Sequence, residues 1–145
     1  MLKLSLEKLE KMTNHGTEDD PHRHVTGNFA LYSNAGTKSG AVVYFELEPE
    51  CELGNHTDSA EEIIYVVEGT IEATIGKEKD QISRGELGVV PVMEHHNFRN
   101  IGSNTAKIIG FFSSPNIVST FEKVFLPLNF KEFDTTKLPA LKLSR

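Results

Sequence analysis

The sequence is short of sulfur, of positive charge and of long apolar runs, and each shortage removes a class of function. Cys51 is the only cysteine among 145 residues, so no internal disulfide can form and no zinc finger or iron–sulfur site can be built from a cysteine cluster. That usage fits a reducing compartment. Fifteen Lys and Arg against twenty-one Asp and Glu leave a net charge of −6, which repels phosphate backbones and anionic lipid, so nucleic acid and membrane surfaces are excluded as partners. No run approaches the roughly 20 apolar residues of a membrane span. At the start, Met1 to Met12 mixes leucines with Lys, Ser and Glu instead of forming a signal-peptide core. The expectation is a cytoplasmic protein. Linkers, repeats and low-complexity tracts are also missing, and the length suits a single domain over residues 1–145.

The body carries all-β punctuation: short stretches rich in Val, Ile, Tyr and Phe, cut by Gly, Asn, Asp and Pro. It predicts strands over Phe29 to Ser33, Ala41 to Glu48, Ile63 to Glu68, Thr70 to Ile75, Asp80 to Ser83, Leu87 to Val90, His96 to Ile101 and Lys107 to Ser113. Eight strands fit a barrel or jelly roll with a core over about 28–114. Before it lies an arm, 1–20. There Leu2, Leu4 and Leu6 alternate as in an edge strand, Leu6, Leu9 and Met12 have helical spacing, and Asn14-His15-Gly16 ends any helix. After the core, Ser114-Pro115 reads as the cap and first residue of a short C-terminal helix. Its apolar face is Ile117, Val118, Phe121 and Phe125, and Pro127 ends it. An arm completes 115–145.

Ligand-type side chains gather in two stretches. In GNHTDSAEEIIYVVEG, strand spacing puts His56 and Asp58 on one face, and Glu62 can return to them after a turn at Ser59-Ala60. In GELGVVPVMEHHNFRN, His96 shares a strand face with Glu94, Phe98 and Asn100 while His95 points away. His22-Arg23-His24 repeats the spacing without a companion carboxylate and is expected at the surface. Cys51 is read as a small, partly buried thiol.

These two stretches resemble the two signature motifs of the cupin superfamily. His56, Glu62 and Gly69 fall in register with the first, with Asp58 where a second histidine stands. Gly85, Pro91, His96 and Asn100 match the second, with Met93 in place of its middle glycine, and fifteen residues separate the two motifs. The resemblance implies a double-stranded β-helix and one divalent metal (Fe, Mn, Ni, Zn or Cu) held by His56, Glu62 and His96, with Asp58 as a fourth ligand or bound through water. Two histidines and a carboxylate are also the donor count of non-haem iron oxygenases. The expected function is a metal-dependent enzyme, of dioxygenase type, acting on a small organic molecule oriented by Phe98, Met93 and Tyr65, with Glu62 able to accept a proton. A binding or sensing module without turnover, and a metal-dependent isomerase or lyase, stay open. A homodimer is expected through the Leu-rich start and the segment holding Phe121, Phe125, Leu126 and Leu128.

Overall fold

A computed structural model describes residues 1–138. Twelve strands follow in chain order: β1 (Met12–His15), β2 (His24–Leu31), β3 (Ala41–Leu47), β4 (His56–Asp58), β5 (Glu62–Glu68), β6 (Thr70–Ile75), β7 (Glu78–Ser83), β8 (Leu87–Val90), β9 (His96–Asn100), β10 (Ala106–Phe112), β11 (Val118–Phe125) and β12 (Phe130–Asp134). They form two six-stranded sheets, ordered β1-β2-β3-β10-β5-β8 and β12-β11-β4-β9-β6-β7, in which every pairing is antiparallel. The fold is an all-β jelly roll. Period-two burial explains how it closes: on β5, Glu62, Ile64 and Val66 are buried while Ile63 is exposed, and on β9, His96, Phe98 and Asn100 are buried. Leu47, Ile64, Val66, Ile71, Phe98 and Ile108 fill the space between the sheets.

The segment after Ser114-Pro115 is where the structure departs from expectation: Val118–Phe125 is strand β11, not a helix. Ile117, Phe121 and Phe125 lie four apart, a spacing that suits a strand's period of two as well as a helix. Pairing decides between them. The three-residue β4 has an open edge, and β11 covers it with Ser119 opposite Asp58 and Phe121 opposite His56, while β12 pairs along its other side. Unsatisfied strand edges and a run rich in Val, Thr and Phe outweigh the capping signal. The short helical turns that do occur are 3-10 turns at Leu6–Lys8, Ser33–Ala35 and Thr135–Lys137.

The N-terminal arm also differs. No strand covers Leu2 to Leu6, and Asn14 and His15, expected to stop a helix, belong to β1. This strand joins both halves of the molecule: Asn14 stands opposite Val25 of β2, and the His15 amide and carbonyl exchange hydrogen bonds of 2.9 and 2.8 Å with Leu126. Part of the expected C-terminal arm, residues 139–145, lies outside the described residues. Among the described residues no helix is long and apolar enough to cross a membrane.

Candidate metal centre

Strand β4 is buried along its whole length, and its neighbours bring the remaining polar groups to it. His56 pairs with His96 of β9, which leaves their rings 4.0 Å apart and tilted by 49°. His96 Nε2 lies 2.9 Å from Asp58 Oδ2 and 3.7 Å from Glu62 Oε1, and His56 Nε2 lies 3.6 Å from Asp58 Oδ2. One donor atom each from His56, Asp58 and His96 falls within 4.8 Å of the other two, a group that could hold a metal ion. Glu62 stands beside this group.

Local hydrogen bonds prepare each donor. His56 Nδ1 donates to the Gly54 carbonyl and His96 Nδ1 to the Glu94 carbonyl, both at 2.8 Å. A carbonyl only accepts, so the Nδ1 proton is fixed and each Nε2 lone pair is turned to the centre. Ser119 Oγ donates to Asp58 Oδ1 at 2.5 Å, and the Met93 amide donates to the Asp58 carbonyl at 2.9 Å. The carboxyl of Glu62 fits because position 110 has no side chain: a Cβ on Gly110 would lie 2.1 Å from Glu62 Oε2.

A cation is the missing element in this balance. Asp58 Oδ2, Glu62 Oε1 and His96 Nε2 are buried with no hydrogen-bond partner, and what links His96 to Asp58 at 2.9 Å is the charge that His96 carries when protonated. Three such atoms facing one another are costly unless a positive charge joins them. Nitrogen and carboxylate donors of this kind suit a divalent transition metal. Among the side chains themselves, burial and the neighbouring His96 push His56 down to about 4. Burial opposes charge on His96 too, yet Asp58 and Glu62 raise it to about 10. Burial, aided by Asp58, pushes Glu62 up to about 7. Burial also works against an ionised Asp58, but His96, His56 and Ser119 together hold it below the ordinary carboxylate value.

The centre opens on a cavity of about 110 Å³ that His56, Asp58, Glu62 and Ser119 line at one side. Seven of the nine phenylalanines line it as well. Phe29 stacks on Phe112 and Phe133 at centroid distances of 5.9 and 5.6 Å, and Phe121 stacks on the His56 ring at 4.6 Å.

None of Phe98, Met93 and Tyr65 lines this cavity. Phe98 is buried in the core with its ring 5.4 Å from that of His96, edge to face. Met93 is 57% exposed and has φ +62°, the left-handed backbone that a glycine adopts without strain. Tyr65 is half-buried on β5, out of phase with the inward Ile64. Arg23, expected at the surface, is buried: it donates 2.9 Å to Asp20, reaches the Lys123 and Val124 carbonyls, and lies 4.3 Å from the centroid of the Phe125 ring. His22 is exposed, with its ring 3.8 Å from the Glu50 carboxylate. Cys51 is half-buried, and burial with Glu48 and Glu50 pushes its thiol up, which keeps it unreactive. Asn100, the last residue of the second motif, holds backbone together: its Nδ2 donates to Leu47 and Asn104 and its Oδ1 accepts from Gly102.

Two site residues were not visible in the sequence. Ser119 lies in the segment expected to be helical, where no pairing with Asp58 could be foreseen. Gly110 had a signal, a glycine inside an otherwise apolar strand, which marks a close approach of another group.

A buried His-Asp-His group at the heart of a two-sheet jelly roll defines a β-barrel with a candidate metal site. The family model described as "Cupin domain" matches residues 43–112. Among solved structures, the Schizosaccharomyces pombe Cnp3 cupin domain superposes with a TM-score of 0.60 at 14% identity, covering 76% of this chain and 72% of that one. A cupin 2 conserved barrel domain protein from Rhodopseudomonas palustris gives 0.62 at 17% identity over 73% and 72%. Oxalate decarboxylase from Bacillus subtilis gives 0.67 at 18% identity, covering 81% of this chain but only 30% of that one. No curated protein matches the sequence. Residues 43–112 are thus those of a cupin domain, and the barrel around them has the fold of solved cupin structures.

Proposed function

We propose that this cupin is a metal-dependent enzyme acting on a small, largely apolar organic molecule, with dioxygenase-type oxidation, O₂ being the co-substrate, as its chemistry. The observation that carries the reading is the meeting of three buried, unpartnered donor atoms, Asp58 Oδ2, Glu62 Oε1 and His96 Nε2, beside His56, at the end of a phenylalanine-lined cavity that His56, Asp58 and Glu62 line. His56, Asp58 and His96 would hold the metal, and Glu62 would join them or remain beside them. When bound, the metal supplies a redox or Lewis-acid centre. The chain's own part is to seat the substrate's apolar body against the phenylalanines, exclude water, and move a proton at the Glu62 carboxyl, which burial pushes up to about 7 in the metal-free chain.

A second reading, capture of a small ligand without turnover, is favoured by one observation. Apart from His56, Asp58 and Glu62, the cavity lining contains no ionisable side chain. The test is elemental analysis of protein purified without a metal-affinity tag, beside His96→Ala, followed by O₂ uptake in the presence of small organic compounds. Near-stoichiometric Fe, Mn, Ni or Cu that the variant lacks, with substrate-dependent O₂ uptake, supports the enzyme. Metal with ligand retention and no product supports the binding module. No metal, before or after reconstitution, overturns both.

For assembly, the reading is a cytoplasmic homodimer joined through the terminal segments. Phe121 and Phe125 face the cavity instead of solvent, so Leu128 and Leu2, both exposed, are the contacts left to test. A dimer unchanged in sedimentation after deletion of residues 1–11 would sink this arrangement.

A further inference from the structure

On the cavity wall contributed by β1, Asn14 presents a second orphaned group. Its Oδ1 is buried and has no hydrogen-bond partner among the described residues, and Asn14 lines the same cavity as His56, Asp58 and Glu62. The strand that carries it is fixed on both sides, through β2 and through the paired bonds of His15 with Leu126. A carbonyl oxygen held there accepts hydrogen bonds and donates none. The rest of the wall has little polarity: beside the metal-end side chains and Ser119, the polar residues are Asn14 and Asn28, and Asn28 is already engaged, its Nδ2 with the Glu10 carbonyl and its Oδ1 with the Phe29 amide.

Size and wall chemistry narrow the occupant. A cavity of about 110 Å³ is of the order that holds one benzene-sized ring, an engineered apolar cavity of roughly 150 Å³ being enough for benzene. Walls made of Phe29, Phe112, Phe121, Phe125, Phe130 and Phe133 favour a flat ring by offset and edge-to-face contacts. We infer that the site selects a single-ring aromatic compound carrying a hydroxyl or amine hydrogen-bond donor, and that Asn14 is the residue that reads this donor. The inference deepens the proposed function and rests on its placing of the substrate in this cavity.

The test uses phenol, which donates, and anisole, the methyl ether that does not, as probes on the full chain, metal-free and zinc-loaded, with affinities from calorimetry. The wild type is expected to bind phenol about tenfold more tightly than anisole, because anisole leaves the buried acceptor unpaired. In Asn14→Leu and in Asn14→Ser, each first shown to melt cooperatively, that preference is expected to fall to about twofold or less, the leucine variant favouring anisole. A phenol preference that survives in both variants overturns the inference, since the donor would then be read elsewhere, and leaves the metal reading untouched. Failure of phenol to bind overturns it too. If the protein takes up no zinc yet the Asn14-dependent preference persists, the metal reading fails and this one stands.

Discussion

The two ends of the cavity are built from different parts of the chain. All four candidate metal donors lie between His56 and His96, three on the paired strands β4 and β9 and Glu62 on β5 of the facing sheet. The apolar wall comes from β1 to β3, the end of β10, and β11 and β12, so from residues on both sides of the donors. At the donor end the two histidines are held by main-chain carbonyls two residues away, and Asp58 by the Ser119 hydroxyl. At the wall the phenylalanines hold one another. In the proposed enzyme, metal binding would therefore rest on the motif strands, with Ser119 of β11 as the one tie across, and the choice of molecule on the flanking strands.

The sharpest way to break this division is at the donor end. His96→Ala or Asp58→Ala is expected to abolish stoichiometric metal, read by elemental analysis, while leaving a folded barrel whose aromatic wall is intact. Near-normal metal content in either variant would refute the ligand assignment. Ser119→Ala removes a partner of Asp58 from the opposite side of the division. Loss of roughly 10- to 100-fold in metal affinity is expected, the usual effect of removing a hydrogen bond to a ligand, and unchanged affinity in a chelator competition would show that the wall strand β11 contributes nothing to the centre.

Gly110→Ala tests how tightly the two ends are joined. The added methyl cannot coexist with the present Glu62 carboxyl, so a destabilisation of about 1–3 kcal/mol is expected from overpacking, read from denaturant midpoints at constant slope. A neutral result would mean that Glu62 moves freely.

Proton linkage sharpens the comparison further. His96, raised from 6.5 to about 10 in the metal-free chain, adds stability below pH 6.5 that is lost as pH rises through 10. Glu62, raised from 4.5 to about 7, gives a loss of the same sign between those values, and His56, lowered from 6.5 to about 4, gives a gain that opposes it there. The metal-free chain is thus expected to lose stability between about pH 6.5 and 10. Metal must displace the His96 proton, so its affinity is expected to rise across the same interval. Chemical denaturation at pH 6 and 9, with and without metal, checks both signs; a metal-free protein more stable at pH 9 would refute the charge assignment.

The smallest effect is at Met93. Its left-handed backbone costs a non-glycine residue about 1–2 kcal/mol, and glycine's greater freedom when unfolded returns about 0.5–1 kcal/mol of that. Met93→Gly is expected to stabilise by about 1 kcal/mol or less, seen as a small rise in melting temperature.

Much of this molecule was legible from sequence because period-two alternation and motif spacing reinforce each other between Ala41 and Phe112. Each of the eight expected strands has a counterpart, although the one expected from Phe29 begins at His24. The motif positions place His56, Asp58, Glu62 and His96 together. Legibility failed where spacing is degenerate, as at Ile117, Phe121 and Phe125, and where a strand exists only because a distant edge needs covering, as for Met12–His15. The same failure hid the cavity wall, since five of its lining residues lie on β11 and β12: Ser119, Phe121, Phe125, Phe130 and Phe133. Tyr65, Met93 and Phe98 were nominated by nearness in sequence to the donors, but wall residues are chosen by the curvature of the sheets.

One consequence follows from the two histidine Nδ1 bonds to the carbonyls of Gly54 and Glu94. Because the main chain dictates the tautomer of both rings, the imidazoles present the same face to any incoming cation and cannot discriminate by adjusting. Discrimination is left to the carboxylates: Asp58, anchored by Ser119, offers a rigid oxygen, and Glu62 a longer and less tethered one. In the proposed centre, then, Glu62, whose Oε1 has no partner, would be the donor left to adjust between one metal and another.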